Sequence, residues 1–296
     1  MSTPSTASST ATSSPTSRSS ISSSTAAPRA GRSSPAAAAG RSPRPMPPRF
    51  PYSLSMAVPA FNEEEILEGF LRKSAADLAA VADDWQIVLV DDGSTDRTLE
   101  IARRLAQEFP QIRVIPLERN RGTGASVIPA FLGATKDIVF NNTVDAFFDT
   151  SELPRLLPFL DQGDVLSGYR TDLSANNPYQ KLLTLGNYLL IRFLFDMPLK
   201  AYQTLQFHRR DFFHLIEIEA RSSFLSPELL YKAKRLGRTV VEVPITFHPR
   251  RGGVAKGGRL VHVVRSVREI LRFWFRWRVR GRIRLSAPAA PQGSRA

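Results

Sequence analysis

The stretch Gln86-Ile87-Val88-Leu89-Val90-Asp91-Asp92-Gly93-Ser94-Thr95-Asp96 decides the fold. Its first half, Gln86–Val90, is a β-branched and aliphatic run, the pattern of a strand buried on both faces. Such strands belong to parallel sheets covered by helices on both sides. Two adjacent carboxylates and a Gly-Ser pair then end the run, so the strand closes in a turn rich in hydrogen-bond acceptors.

The same alternation extends in both directions. Leu54–Val58 reads as a short apolar strand and Glu64–Val81 has helical spacing. Thr95–Phe109 reads as a helix with Ser94 or Thr95 at its N-cap. Arg113–Leu117 is a strand, Gly124–Ala134 a helix and Asp137–Asn141 a fourth strand. Strand–helix alternation with short loops predicts an α/β domain with a doubly wound, mostly parallel sheet. Ligands of such sheets bind at the carboxyl ends of the strands. Beyond Asp145 the pattern predicts helices at Ser151–Leu160, Tyr179–Phe195 and Pro227–Leu236, and strands at Asp164–Gly168, Leu205–Arg209 and Thr239–Phe247. No internal repeat is visible.

The chain divides by composition into a tail (1–48), a catalytic-sized domain (49–258) and a basic helix with its tail (259–296). Residues 1–48 are rich in Ser, Thr, Ala and Pro, carry arginines and contain no acid, so the segment is expected to be disordered. A transit peptide has the same composition and is the alternative. With no cysteine, disulfides, thiolate metal sites and cysteine nucleophiles are excluded, which fits a reducing compartment. The longest apolar run, Tyr188–Phe195, is interrupted by Arg192, so the expectation is a cytoplasmic protein, soluble or peripheral to a membrane. A formal charge of +13 in 296 residues points to acidic partners: nucleic acid, anionic headgroups or phosphorylated substrates.

Two motifs sit at predicted strand ends. Val58-Pro59-Ala60-Phe61-Asn62-Glu63-Glu64 closes the first strand, and Asp91-Asp92-Gly93-Ser94 closes the second, about thirty residues later. Carboxylates there suit a base edge or ribose hydroxyls. Taken alone, the Asp91–Asp92 pair equally suits turn and cap chemistry; the two motifs together favour the binding crevice.

With these motifs the chain resembles the family-2 glycosyltransferases. "VPAFNEEE", "IVLVDDGSTDRT" and "ERNRGTGASV" are followed by "SGYR" (Ser167–Arg170), "SPELLYKAKRLG" and "EVPITFHPRRGGVAK" (Glu242–Lys256). The branch it is most similar to is the dolichol- or polyprenyl-phosphate sugar transferases, including the mannosyltransferases. The resemblance implies a GT-A type fold, a nucleotide-diphosphate sugar donor (GDP-mannose or a UDP-sugar), a lipid-phosphate acceptor and inversion at the sugar. It places Pro59, Phe61, Glu63, Asp91 and Asp92 at the nucleotide. Arg250, Arg251 and Lys256, in a loop that closes over the donor in the family, would meet phosphates with Arg170 and Lys181.

The chain departs from the family at two points. The family's Asp-x-Asp, which holds Mg2+ or Mn2+, is here Thr143-Val144-Asp145, so one carboxylate is missing. Asp149 is read as the cap of the next helix in preference to a replacement ligand. No carboxylate stands between Asp196 and Asp211, where relatives carry an acid thought to activate the acceptor; an ionised phosphate acceptor needs no strong base. Gly122-Thr123-Gly124 lacks the third glycine of a phosphate cradle and is read as a close-packing site.

Arg265, Arg268, Arg272, Arg276 and Arg280 recur along the predicted Arg259–Arg284 helix at three- and four-residue spacing, largely opposite Val263, Val264, Val267, Ile270, Leu271, Trp274 and Trp277. This amphipathic pattern suits an anionic membrane surface. Docking on the domain's own core is the alternative, and no nucleic-acid-binding signature is present. The functional alternatives are a weakly active or inactive nucleotide-sugar-binding member and a transferase with a small soluble acceptor.

Overall fold

Successive residues of β1 (Leu54–Ala60) and β2 (Trp85–Asp91) point to opposite faces of a sheet, and both faces are apolar. Leu54, Met56, Val58, Ala60, Ile87 and Leu89 enter one core cluster, whereas Ala57, Val88 and Val90 enter another. A strand buried on both sides needs cover on both sides, and the helices supply it. This computed structural model describes residues 50–145, 148–170, 178–202, 204–246 and 260–285. The expected tail (1–48) and the basic loop at Arg250–Lys256 lie outside the described residues.

The remaining strands are β3 (Ile112–Pro116), β4 (Ile138–Asn141), β5 (Val165–Arg170), β6 (Gln206–Arg209) and β7 (Val240–Ile245). They form one seven-stranded sheet in the order β3-β2-β1-β4-β6-β5-β7. The first four are mutually parallel, β6 is antiparallel to both neighbours, and β5 pairs with β7 in parallel. The carboxyl ends of six strands therefore face one edge, as a mostly parallel sheet requires.

Helices α1 (Leu67–Val81), α2 (Thr98–Glu108) and α4 (Leu153–Leu156) cover the first face through Leu71, Leu78, Leu105 and Leu156. Helices α3 (Thr123–Leu132), α5 (Pro178–Phe195), α6 (Leu225–Arg235) and α7 (Leu260–Trp274) cover the second through Phe131, Phe195, Leu230 and Phe273.

Three expectations change in detail. The helix expected at Ser151–Leu160 breaks into a 3-10 turn (Thr150–Glu152), the single turn α4 and a second 3-10 turn (Leu157–Asp161). Pro154 and Pro158 lack the N–H that a continuous helix would use. Helix α2 starts at Thr98, and its first amide donates to Asp96 Oδ1 at 2.9 Å, so Asp96 is the capping side chain and not Ser94 or Thr95. The basic helix ends early: α7 gives way to a π-helical turn (Phe275–Val279), and Gly281 takes φ +64°.

The C-terminal helix is part of the core. Ile270, Phe273 and Trp277 are 1%, 5% and 3% exposed, and Trp277 stacks on Tyr231 with ring centroids 5.6 Å apart. Its indole N–H donates to Glu219 Oε2 at 2.9 Å. Lys232, fully buried, pairs with Glu228 at 2.7 Å and Glu219 at 3.2 Å, and Glu228 also accepts the amides of Glu219 and Ala220. Trp277 is thus committed inward and cannot rest among lipid headgroups, as the sequence pattern had suggested.

Strand β6 carries a buried histidine. Gln206 Nε2 donates to Ser226 O at 3.1 Å, which orients its Oε1 to accept from His208 Nε2 at 3.0 Å. His208 stacks on Phe212 at 4.7 Å, and burial pushes its pKa down to about 3 from 6.5. The unfolded chain therefore takes up this proton as pH falls below about 6.5 while the folded chain does not, so His208 erodes stability in that direction. His208→Phe should make the urea midpoint less dependent on pH between about 6.5 and about 5, a window above most carboxylate titrations. An unchanged slope would mean that another group controls acid stability.

Candidate active site at the carboxyl edge of the sheet

Proline and glycine placement brings two loops together at the edge. Pro59 is buried in β1, opposite Val90 in register, and Ala60 stands opposite Asp91. Beyond them the loops after β1 and β2 are stitched by a set of hydrogen bonds. The Asn62 N–H donates to Ser94 Oγ at 3.1 Å, and Asn62 Oδ1 accepts from the Thr95 N–H at 2.9 Å. The Glu63 N–H donates to Thr98 Oγ1 at 2.8 Å and the Glu64 N–H to Asp96 Oδ2 at 3.2 Å, while Glu64 Oε2 accepts from the Arg97 N–H at 3.1 Å. Asn62 holds φ +54°, a left-handed conformation that asparagine tolerates better than most residues. Ser94 and Thr95 are thereby used across the loops, which is why neither caps α2.

The two aspartates have different partners. Both Asp92 oxygens are occupied, Oδ1 by the Arg121 N–H and Oδ2 by the Gly122 N–H, each at 2.8 Å. Asp92 is therefore an anchor for the loop that leads into α3. Asp91 is 1% exposed; its Oδ2 accepts from the Ser94 N–H at 3.2 Å, and its buried Oδ1 has no hydrogen-bond partner. A buried carboxylate oxygen without a donor is costly. Of the pair, Asp91 is the one with capacity for a ligand. Phe61, at the end of β1, is 39% exposed at the same edge.

Gly124 is a close-packing site, as read from the sequence, and Gly93 is held by its own turn. Gly93 has φ +71°, and a Cβ there would stand 2.7 Å from the Arg119 backbone. A Cβ on Gly124 would lie 2.5 Å from Ser222 O, so α3 can approach the segment before α6 only with glycine at that point.

After β4, buried Asn142 fixes the chain by donating to Phe148 O at 3.1 Å and accepting the Thr143 N–H at 3.0 Å. Thr143 Oγ1 is buried without a hydrogen-bond partner, and Asp145 is half-buried two residues on. Asp149 accepts the Ser151 N–H at 2.9 Å and pairs with Lys73 at 2.7 Å. The Lys73 bond holds its carboxyl down to about 2, outweighing a partial burial that pushes the other way. Asp149 is a cap. Among the described residues no group of three His, Asp or Glu side chains is placed to hold a metal. One carboxylate and one hydroxyl do not complete a divalent-cation site.

Arg170 ends β5 at the same edge, half-buried. Lys181 lies in the first turns of α5, with its side chain outside the described residues, as are Arg250, Arg251 and Lys256. Pro59, Phe61, Glu63, Asp91, Asp92, Thr143, Asp145 and Arg170 thus gather at the carboxyl ends of β1, β2, β4 and β5. Sequence reading missed one carboxylate near the acceptor-side segment. Glu242, opposite Ser167 in the β5–β7 pairing, accepts the Lys200 N–H at 2.6 Å. Lys200 in turn donates to Tyr169 Oη at 3.3 Å. Only strand register brings Glu242 there, and no spacing in the sequence announces it.

Geometry of this kind, with acceptors at the carboxyl edge of a doubly wound sheet, marks the place where α/β proteins of this class bind their ligands. Residues 55–216, more than half of the chain, match the model for "Glycosyl transferase family 2". The chain belongs to that family. It is 30% identical over 214 residues to the undecaprenyl-phosphate 4-deoxy-4-formamido-L-arabinose transferase of Edwardsiella ictaluri, covering 69% of this chain and 63% of the relative. It is 27% identical to the dodecaprenyl-phosphate galacturonate synthase of Rhizobium johnstonii, covering 77% and 68%. The chain thus spans less than two thirds of the first of these relatives. Glucosyl-3-phosphoglycerate synthase from Mycobacterium tuberculosis, solved with Mn2+, UDP and product, superposes with a TM-score of 0.57 at 18% identity, over 76% of this chain and 79% of that one. The likeness establishes a GT-A-like fold.

The partner assignments separate the aspartates experimentally. Asp92→Ala strands two amides and should cost about 1–3 kcal/mol of stability in urea titration. Asp91→Asn removes an orphan charge and keeps the Ser94 bond, so it should leave stability unchanged or higher. The reverse order would refute the assignment.

Proposed function

We propose that this chain transfers a glycosyl unit, with inversion, from a nucleoside-diphosphate sugar to a polyprenyl or dolichyl phosphate. The observation that carries the reading is the buried, unpartnered Oδ1 of Asp91 at the nucleotide edge of a family-2 domain. An acceptor there can take a hydrogen bond from a base N–H. Two relatives named for transfer to undecaprenyl and dodecaprenyl phosphates support the lipid class of the acceptor.

The chemistry follows from the charges. A phosphate monoester is ionised at neutral pH, so its oxygen attacks the anomeric carbon without a general base, in keeping with the acid-free stretch between Asp196 and Asp211. The bond to the donor diphosphate breaks on the opposite face, and the diphosphate leaves with the electron pair. Arg170, Lys181, Arg250, Arg251 and Lys256 are the cations assigned to that developing charge, with Pro59, Phe61 and Glu63 lining the nucleoside alongside Asp91. The donor is GDP-mannose or a UDP-sugar, and a panel of nucleotide sugars with transfer into extractable lipid separates these. No helix among the described residues is long and apolar enough to cross a membrane; in this reading the acceptor is met by a peripheral protein at the cytosolic membrane face. Thr143, standing where the family has a carboxylate, favours the second reading, a nucleotide-sugar-binding member with little transfer activity.

Two measurements test the site. Asp91→Ala should weaken GDP or UDP binding by about 1–3 kcal/mol, the loss of a charge-assisted hydrogen bond, and unchanged calorimetric affinity in a folded variant would remove the assignment. Mg2+ or Mn2+ would be held with donor phosphates and water beside Asp145, so donor-free protein should bind Mn2+ weakly and Thr143→Asp should tighten it. Micromolar affinity in the donor-free wild type would contradict this account of the site.

A further inference from the structure

Helix α5 turns an apolar ridge to solvent. Leu182, Leu185, Leu189 and Phe193 are 66%, 52%, 39% and 75% exposed, and their spacing of three and four places them on one stripe. No charged residue interrupts the stripe from Leu182 to Phe193; Arg192 is turned aside, donating to Tyr188 Oη at 2.9 Å. Single exposed leucines are ordinary, but a continuous stripe marks a surface that meets something apolar.

Helix α7 packs against α5, and the two bury their inner faces in the same cluster through Ile191, Phe195, Ile270 and Phe273. Their outer faces therefore look the same way. On α7 and the turn that follows it, that face mixes exposed Leu271 and Phe275 with exposed Arg268 and Arg272. Further exposed arginines, Arg278, Arg280 and Arg282, continue past the helix end, and the only acid between Leu260 and Arg284 is Glu269, which accepts the Ser222 hydroxyl.

We propose that α5 and α7 together form a docking face for an anionic bilayer. The α5 ridge enters the acyl boundary while Arg268, Arg272 and the arginines beyond them meet headgroup phosphates. The proposal rests on the lipid-acceptor reading for its purpose, and on exposure and charge for its geometry. It differs from a purely electrostatic C-terminal helix: the insertion comes from α5, and Trp277 takes no part. The chemistry of the face selects the occupant. An apolar stripe bordered by cations matches the acyl–phosphate boundary of a lipid leaflet. A second copy of this chain would bring two sets of arginines together with no acids to receive them.

Flotation of the full chain with phosphatidylcholine vesicles, with and without phosphatidylglycerol, tests this. Wild type should float with anionic vesicles and detach at high salt. Leu189→Glu/Phe193→Glu and Arg268→Glu/Arg272→Glu should each lower the bound-to-free ratio by about tenfold or more. Both should retain UDP or GDP binding and the wild-type circular dichroism. Leu189→Gln/Phe193→Gln serves where the charged pair fails to fold. Unaltered flotation of the apolar variants would overturn the proposal. So would light scattering that shows a wild-type dimer made monomeric by the same substitutions, which would assign the face to a second copy. Loss of flotation in both variants, in a protein that transfers no sugar to prenyl phosphate in detergent, would uphold the docking face and refute the activity.

Discussion

The carboxylate of Asp92 is the constraint on which the edge of the sheet depends. Buried at the end of β2, it receives two backbone amides from a loop about thirty residues further along the chain. Both of its oxygens are satisfied, so it positions backbone and has little left for a ligand. Its backbone N–H donates to Ala60 O at 2.8 Å, extending the β1–β2 ladder one residue beyond the strands. A single residue thus ties the ends of β1 and β2 to the entry of α3. Asp91 is held by that framework with one oxygen unsatisfied. The framework permits the uncompensated oxygen, because a mobile loop would turn such a group out to water.

The fold was legible wherever a local pattern met no competitor. β1, β2 and the helix between them follow from uninterrupted apolar runs and 3.6-residue spacing, and each expected strand is found within two residues of its place. Legibility failed where side chains had a choice of partner. Ser94 and Thr95 are good helix caps in isolation, but Asn62 claims both across the loop, and Asp96 caps instead. The reversed direction of β6 leaves no mark in its short sequence, since direction is set by its neighbours. In the site, the positions of Asp91 and Asp92 were readable and their division of labour was not. That division depends on which amides the distant Arg121–Gly122 loop presents. Glu242 was hidden for the same reason, as it reaches Lys200 only through strand register.

Amphipathicity announces that a helix has two faces without saying which phase each one meets. The arginine-and-tryptophan pattern of the C-terminal helix suits a membrane or a core equally well. The buried acids decide. Glu219 draws Trp277, Lys232 and Arg276 to itself, the last at 2.8 Å, and Glu228 closes the group against α6. Burying three or four charges together is weakly stabilising at best, but removing one leaves the others unpaired in a dry site. Such a group therefore fixes the register of α7 more than it raises stability. With Ile270, Phe273 and Trp277 turned inward by that register, Leu271 and Phe275 must turn outward.

That orientation bears on the chemistry at the other edge. An enzyme that uses a phosphate on a lipid as its nucleophile receives the nucleophile already charged, so it needs placement more than proton transfer. Placement of a lipid head requires the protein to hold a fixed depth at the leaflet, and depth is set by apolar insertion, since headgroup charge alone leaves a protein free to slide and tilt. The α5 ridge is well suited to that task. It follows β5 along the chain, and the last residue of β5, Arg170, stands at the edge proposed for the nucleotide. One continuous stretch of chain therefore links the edge assigned to the donor with the surface assigned to the bilayer. On the proposed reading, an ionised lipid-phosphate acceptor accounts both for the acid-free stretch between Asp196 and Asp211 and for the exposed apolar face of α5.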